Sequence, residues 1–178
     1  MLTFDLEKQG ERITFFAEAD STATIVELEV SLAPGEVGPP SHIHTKQSET
    51  FHVVSGQMVA HLGKQNHIVE AGETLVVEAG QAHTFANGSE SDPLVMRVAV
   101  EPALHFQWFL TEMAESAIRG GGSWKDIPLL ELAYMLFEMR DQYRVSKMPT
   151  IMQSGLFGFL SQLAQLFGKT GQIAPKAQ

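Results

Sequence analysis

A chain of 178 residues, 44% of them hydrophobic, suits one domain with a sizeable core and is too apolar to be disordered throughout. Its formal charge of -9 removes nucleic acid as a leading partner, because neutralising phosphates needs a Lys/Arg-rich face. Cysteine is absent, which excludes disulfides and thiolate metal sites and leaves His and carboxylate side chains as the donors for any metal.

The opening residues, MLTFDLEKQGERITF, alternate polar and apolar instead of joining a basic start to a long apolar run. No signal peptide is read there, and a cytoplasmic location is expected. From Ile13 to about Glu101 short β-branched or alternating runs follow one another: ITFFAE, TATIVELEVSLA, ETFHVVS, QMVAHL, NHIVEA, TLVVEA, AHTFA and PLVMRVAV. Turn sequences such as PGEVGPP, GKQN and NGSESDP separate them. Short strands at this spacing predict a mainly β chain, an antiparallel sandwich or barrel.

After Pro102 the pattern turns helical. ALHFQWFLTEMAESAIR sets Leu104, Trp108, Met113 and Ile118 at roughly helical spacing before the glycines at 120–122 break it. Asp126 is the expected N-cap of a second helix, with Pro128 in its first turn and Leu129 to Tyr143 as its body. That body is apolar around much of its circumference, so something must cover it. A third helix, IMQSGLFGFLSQLAQLFG, aligns Leu156, Leu160, Leu163 and Phe167 on one stripe with Gln and Ser opposite. It has no Lys/Arg-rich face and is interrupted by Ser and Gln, so it suits neither a membrane surface nor a membrane span. The organisation expected is a β-barrel over 1–102, a helical extension over 103–170 and a frayed tail over 171–178. Charge divides at the same place: fifteen acidic against five basic residues through Ala103, then six against seven.

The stretch PPSHIHTKQSETFHVVSG carries the chemistry. On a strand His42 and His44 point to one side and Ile43 to the other. The turn-like TKQS resets the alternation, so that Glu49, Phe51 and Val53 share the inner face. In GQAHTFANG, His83 and Phe85 share a face as well. Two histidines, a carboxylate and a third histidine make a hard-to-borderline N/O site suited to one divalent ion: Fe, Mn, Ni, Co or Zn. Phe51, Met58, Phe85 and Met96 are the residues expected to line a substrate pocket beside it. His52 and His61 fall out of phase and are expected to face solvent, as is His67 beside a turn. His105 is expected to pack or cap at the start of the first helix.

These residues resemble the two motifs of the cupin superfamily. His42-Ile43-His44, four residues, Glu49, six residues and Gly56 follow the first motif, while its leading glycine departs, Gly35 standing one residue too far from His42. Gly72, Gly80, His83 and Asn87 follow the second, with Glu78 where proline is usual. The resemblance covers about Gly35 to Asn87, extended by strand-rich flanks to about Glu101, and leaves the helical segment outside. It implies a single double-stranded β-helix, or jelly-roll, barrel with a metal between its sheets held by His42, His44, Glu49 and His83. Cupins with this ligand set include dioxygenases, oxalate oxidases and sugar-phosphate isomerases, while others only bind a metal or small ligand. The expected activity is that of a mononuclear metal-dependent oxygenase on a small organic substrate, with Glu49 as ligand and base. The alternative is a non-enzymatic sensor or ligand-binding cupin. A phosphosugar substrate is disfavoured, because the barrel's only cations are Lys8, Arg12, Lys46, Lys64 and Arg97. A homodimer using the helices is expected, since a barrel exterior of alternating charged residues offers little apolar area to cover them.

Overall fold

The computed structural model describes residues 1–17 and 24–171. Parts of the runs ITFFAE and TATIVELEVSLA, and the tail from 172 onward, lie outside the described residues. The protein is mainly β. One antiparallel sheet has the order β1-β2-β3-β10-β5-β8 and the other β11-β4-β9-β6-β7. The strands are β1 (Leu2–Leu6), β2 (Glu11–Phe15), β3 (Val26–Leu32), β4 (His42–His44), β5 (Ser48–Ser55), β6 (Gln57–Leu62), β7 (Gln65–Glu70), β8 (Thr74–Val77), β9 (His83–Asn87), β10 (Leu94–Glu101) and β11 (Tyr143–Val145). Three helices follow the tenth strand: α1 (Phe106–Gly120), α2 (Leu129–Glu138) and α3 (Thr150–Leu166). None of the described helices is long and apolar enough to cross a membrane.

Period-2 alternation builds the core. Along β3 the buried residues are Val26, Leu28, Val30 and Leu32, and along β10 Leu94, Met96, Val98 and Val100, so the positions between them, including Glu27, Glu29 and Arg97, face outward. β1 lies ahead of the predicted strand region and pairs with β2 from Leu2↔Phe15 to Leu6↔Glu11. Asn87, beside the Gly88 turn, donates from Nδ2 to the carbonyls of Leu32, Ala33 and Asp92 and so ties the end of β3 and the β9–β10 loop to one side chain.

The helical segment departs from expectation at four points. Leu104 precedes α1, has a φ of 44° and is exposed, and Ile118 is exposed too. α1 instead buries Phe106, Phe109, Ala114 and Ala117, and half-buries Trp108 and Met113. Asp126 does not cap α2. It ends a short 3-10 turn (Trp124–Asp126) and accepts from Lys8 Nζ at 3.0 Å, while Pro128 sits at the N-cap position of α2 with an extended ψ of 134°. The second helix stops at Glu138 rather than Tyr143, and Tyr143 begins β11, which pairs with β4 as Tyr143↔His44, Arg144↔Ile43 and Val145↔His42. An exposed row of N–H and C=O groups on β4 takes this strand, a demand no local helical period records.

The third helix is rotated relative to its predicted stripe, with Leu160 and Leu163 half-buried but Leu156 and Phe167 exposed. It buries Gln153, Ser161 and Ala164, and leaves Leu156, Phe159, Leu166 and Phe167 exposed. Gln153 explains the orientation: its Oε1 accepts from Val145 N at 3.0 Å and its Nε2 donates to Val145 O at 2.8 Å, pinning the start of α3 to β11. Small residues then permit close approach, with a Cβ added at Gly158 coming 3.0 Å from the Phe137 ring of α2. The apolar α2 is thus covered in part by α3, with Ala133, Tyr134, Met135 and Leu136 buried.

Candidate metal centre

β4 turns both His42 and His44 into the barrel and leaves Ile43 half-buried between them. Residues 45–47 break the strand, β5 begins at Ser48, and its alternation buries Glu49, Phe51 and Val53. His83 opens β9 directly across from His42. Three imidazoles therefore come from one sheet and the carboxylate from the other, and one donor atom from each residue lies within 4.8 Å of all the rest. All four side chains are buried.

Hydrogen bonds fix which ring nitrogens face the centre. His42 Nδ1 lies 3.0 Å from Pro40 O and His83 Nδ1 lies 3.1 Å from Gln81 O. A carbonyl only accepts, so each Nδ1 carries a proton and donates. The neutral His42 ring then presents a bare Nε2 lone pair to His44 Nε2, 3.1 Å away. Glu49 Oε2 lies 2.9 Å from His83 Nε2 and 3.5 Å from His44 Nε2. Imidazole nitrogens and a carboxylate oxygen crowded around one point, with the outer nitrogens of His42 and His83 fixed by backbone carbonyls, fit a cation at that point.

Electrostatics favour the ligating forms. Burial, reinforced by His83 and His44, pushes His42 down to about 3, and burial likewise lowers His44. Burial alone would raise Glu49, but the His83 hydrogen bond and the surrounding imidazoles hold it down at about 2. Burial opposes a charge on His83, yet the hydrogen bond and charge of Glu49 outweigh it and raise that ring. His42 is therefore neutral and Glu49 anionic at neutral pH, and a metal competes with a proton on His83.

A cavity of about 100 Å³ opens onto His42, His44 and Glu49. Ile13, Leu28 and Val30 wall it on one sheet, Phe85 on the other, and Phe106 and Phe109 close it from α1. Phe51 and Phe85 line it, whereas Met58 and Met96, both fully buried, lie in the core and are not among its lining residues. Tyr143 stacks on His42 with ring centroids 4.9 Å apart and planes 17° apart, and burial together with the Glu49 charge pushes its phenol up, so it stays protonated. No motif marks Tyr143 in the sequence; it follows Met139 at helical spacing and looks like the end of α2. The remaining histidines are peripheral. His52 is exposed and bonded to Thr74, half-buried His61 pairs with Asn66, and His105 contacts Gln142. His67 is half-buried on β7 rather than exposed, because it sits within the strand and not beside its turn.

Glu11 also lines the cavity, although the sequence marks it only as a polar residue in an alternating strand. It is 5% exposed, and Trp124 Nε1 donates to its Oε2 at 2.6 Å. Burial raises its pKa to about 7, against the opposing effect of the indole hydrogen bond. A carboxyl raised in the folded state favours folding fully below its ordinary pKa of 4.5, and that contribution is lost as pH rises toward 7. Glu11→Gln is therefore expected to match the parent at pH 4.5 and to exceed it at pH 8 by up to about 3 kcal/mol. Urea unfolding at both pH values tests this, and an unchanged pH dependence in the variant would refute it.

Residues 28–101 match the family model described as a cupin domain. That segment, from β3 to β10, is a cupin domain. Among curated proteins, this chain is 40% identical over 70 residues to a probable oxidoreductase, virH, of Hypocrea virens, covering 38% of this chain and 32% of that protein. The matched segment thus spans about a third of that relative's length. Among solved structures, a cupin-superfamily sugar phosphate isomerase from Silicibacter pomeroyi is 23% identical with a TM-score of 0.48, covering 53% of this chain and 61% of the other. KdgF from a Halomonas species is 18% identical with a TM-score of 0.46, covering 52% and 81%.

Proposed function

We propose that this protein is a mononuclear metal-dependent oxygenase, of the dioxygenase type, acting on a small organic substrate. One divalent ion would be held by His42, His44, Glu49 and His83. The observation that carries the reading is the buried three-histidine, one-glutamate cluster opening onto a mainly apolar cavity. A redox-active ion bound there supplies Lewis acidity and electron exchange with O2. The protein's own part is positioning and exclusion of water: Phe51, Phe85, Phe106 and Phe109 wall the substrate in, and Tyr143 offers a protonated hydroxyl beside His42. Among the described residues Glu49 is the one carboxylate at the cluster, and it takes a proton from a bound substrate hydroxyl. The oxidoreductase name of the Hypocrea virens relative agrees with this reading.

Protein purified without added metal, analysed for its elements, loaded anaerobically with Fe(II) and screened for oxygen uptake against diols, flavonols and 1,3-dicarbonyls tests the proposal. Uptake with one class supports it, and stoichiometric metal with no uptake supports the alternative of a metal- or ligand-binding cupin. An isomerase acting on a phosphosugar is the weaker reading, since among the described residues no Lys or Arg lines the cavity and Arg97 lies outside, over the Phe16 ring. Glu49→Gln should retain metal, because the amide oxygen still coordinates, while oxygen uptake falls by about 100-fold or more through loss of the base. Equal turnover in variant and parent would remove Glu49 from the chemistry.

Homodimerisation through the exposed stripe of α3 is also proposed. Leu156, Phe159 and Phe167 lie on it, and burying each such side chain is worth roughly 1.5–3 kcal/mol. Light scattering should give a dimer for the parent and a monomer for Phe159→Asp; a monomeric parent at high micromolar concentration would refute it.

A further inference from the structure

The metal ligands account for the polar groups at one end of the cavity. Beyond them the lining is apolar except for Tyr143 and the pair made by Glu11 and Trp124. Glu11 comes from β2 and Trp124 from the 3-10 turn after α1, so the pair stands on elements that carry none of the four clustered residues. A carboxyl that is 5% exposed and opens onto an apolar space is costly unless something completes its hydrogen bonds. One indole N–H uses one of roughly four acceptor positions. The described residues supply no cation for it: no ion pair involves Glu11.

Anchoring the loop does not require this pair. Ser123 Oγ already donates to Gln9 Oε1 at 2.9 Å, Gln9 N donates to Gly122 O at 3.2 Å, and Lys8 Nζ pairs with Asp126 at 3.0 Å. The same loop is therefore held by three neighbouring contacts at the β1–β2 turn. An ionisable group placed inside the cavity, next to a loop secured elsewhere, fits a role toward the cavity's occupant.

We propose that Glu11, held by Trp124, is a second polar anchor of this cavity, selecting small apolar substrates that carry an uncharged hydroxyl group away from the atoms bound at the metal. A carboxyl whose burial raises its pKa to about 7 accepts from a hydroxyl when ionised and offers a donor and an acceptor together when protonated, and a hydrocarbon matches neither form. The volume of about 100 Å³ is in the size class of engineered apolar cavities that admit one small ring. This deepens the oxygenase reading by naming its substrate class, while the Glu11 end itself operates without metal.

The test uses the full-length protein stripped of metal, with 4-fluorophenol and fluorobenzene as matched probes observed by fluorine NMR. The parent is expected to bind 4-fluorophenol at least tenfold more tightly than fluorobenzene, because a site built to hydrogen-bond a hydroxyl leaves its own groups unpaired with the analogue. The double variant Glu11→Met with Trp124→Phe removes both partners and leaves no orphaned polar group. It should bind fluorobenzene as the parent does and lose the preference for the phenol. Glu11→Gln keeps an acceptor for Trp124 and a hydrogen-bonding end, so it should fold if the double variant does not and should retain a reduced preference. Full preference in the double variant, equal or undetectable binding of both probes to the parent, or tighter binding of 4-fluorobenzylamine than of 4-fluorophenol would each overturn the proposal. Loss of metal binding or of oxygen uptake would overturn the oxygenase reading alone, since none of these measurements involves metal.

Discussion

Replacing His42 and His44 together with alanine is expected to abolish metal binding. The two imidazoles are half of the four donors, and they are the pair whose Nε2 atoms approach to 3.1 Å. If the four ligands together provide on the order of 10 kcal/mol, losing two forfeits about 5, more than three orders of magnitude in affinity. The remaining Glu49 and His83, 2.9 Å apart, satisfy one another as an ion pair and have less need of a metal. Elemental analysis after desalting reads the result, with circular dichroism confirming that the variant is folded. Undiminished metal in that folded variant would rule this site out.

Truncation after Pro102 carries the second large effect. The barrel and the helical extension are contiguous in the structure, because β11 completes the edge of the sheet that holds His42, His44 and His83. The extension also buries Phe106, Phe109, Tyr134, Met135 and Met139, at roughly 1.5–3 kcal/mol for each large side chain. Removing it strips Phe106, Phe109, Trp124 and Tyr143 from the cavity, bares the β4 edge and exposes the barrel residues beneath α1. With total stabilities of about 5–15 kcal/mol, the fragment 1–102 should aggregate or express insolubly. A monomeric, metal-loaded fragment with the parent's melting temperature would show instead that the barrel is independent of its extension. The Tyr143 side chain reaches the site only because its strand is drafted onto β4, so the truncation tests the origin of the pocket as well as its stability.

Much of this protein is written locally. Period-2 alternation determines the strands from Ile13 to Glu101, and with it which side of each strand enters the core. The same parity places His42 with His44, and Glu49 with Phe51, because side-chain direction on a strand depends only on position. Where the determining contact is remote in sequence, local pattern fails. Tyr143 continues the helical spacing of Met139, yet an unpaired edge about a hundred residues earlier takes it as a strand. Half of the predicted stripe of α3, Leu156 and Phe167, faces outward because Gln153 meets the backbone of Val145, on a strand that no local pattern announces. Met58 and Met96 have the parity of pocket residues, but only the curvature and packing of two sheets decide which inward side chains meet the cavity and which meet each other. Glu11 shows the same limit most clearly: alternation directs it inward, and only the arrival of Trp124 from over a hundred residues away makes it a buried carboxyl with a raised pKa. Side-chain parity is a property of the chain alone, whereas burial, partners and protonation belong to whatever the fold brings alongside.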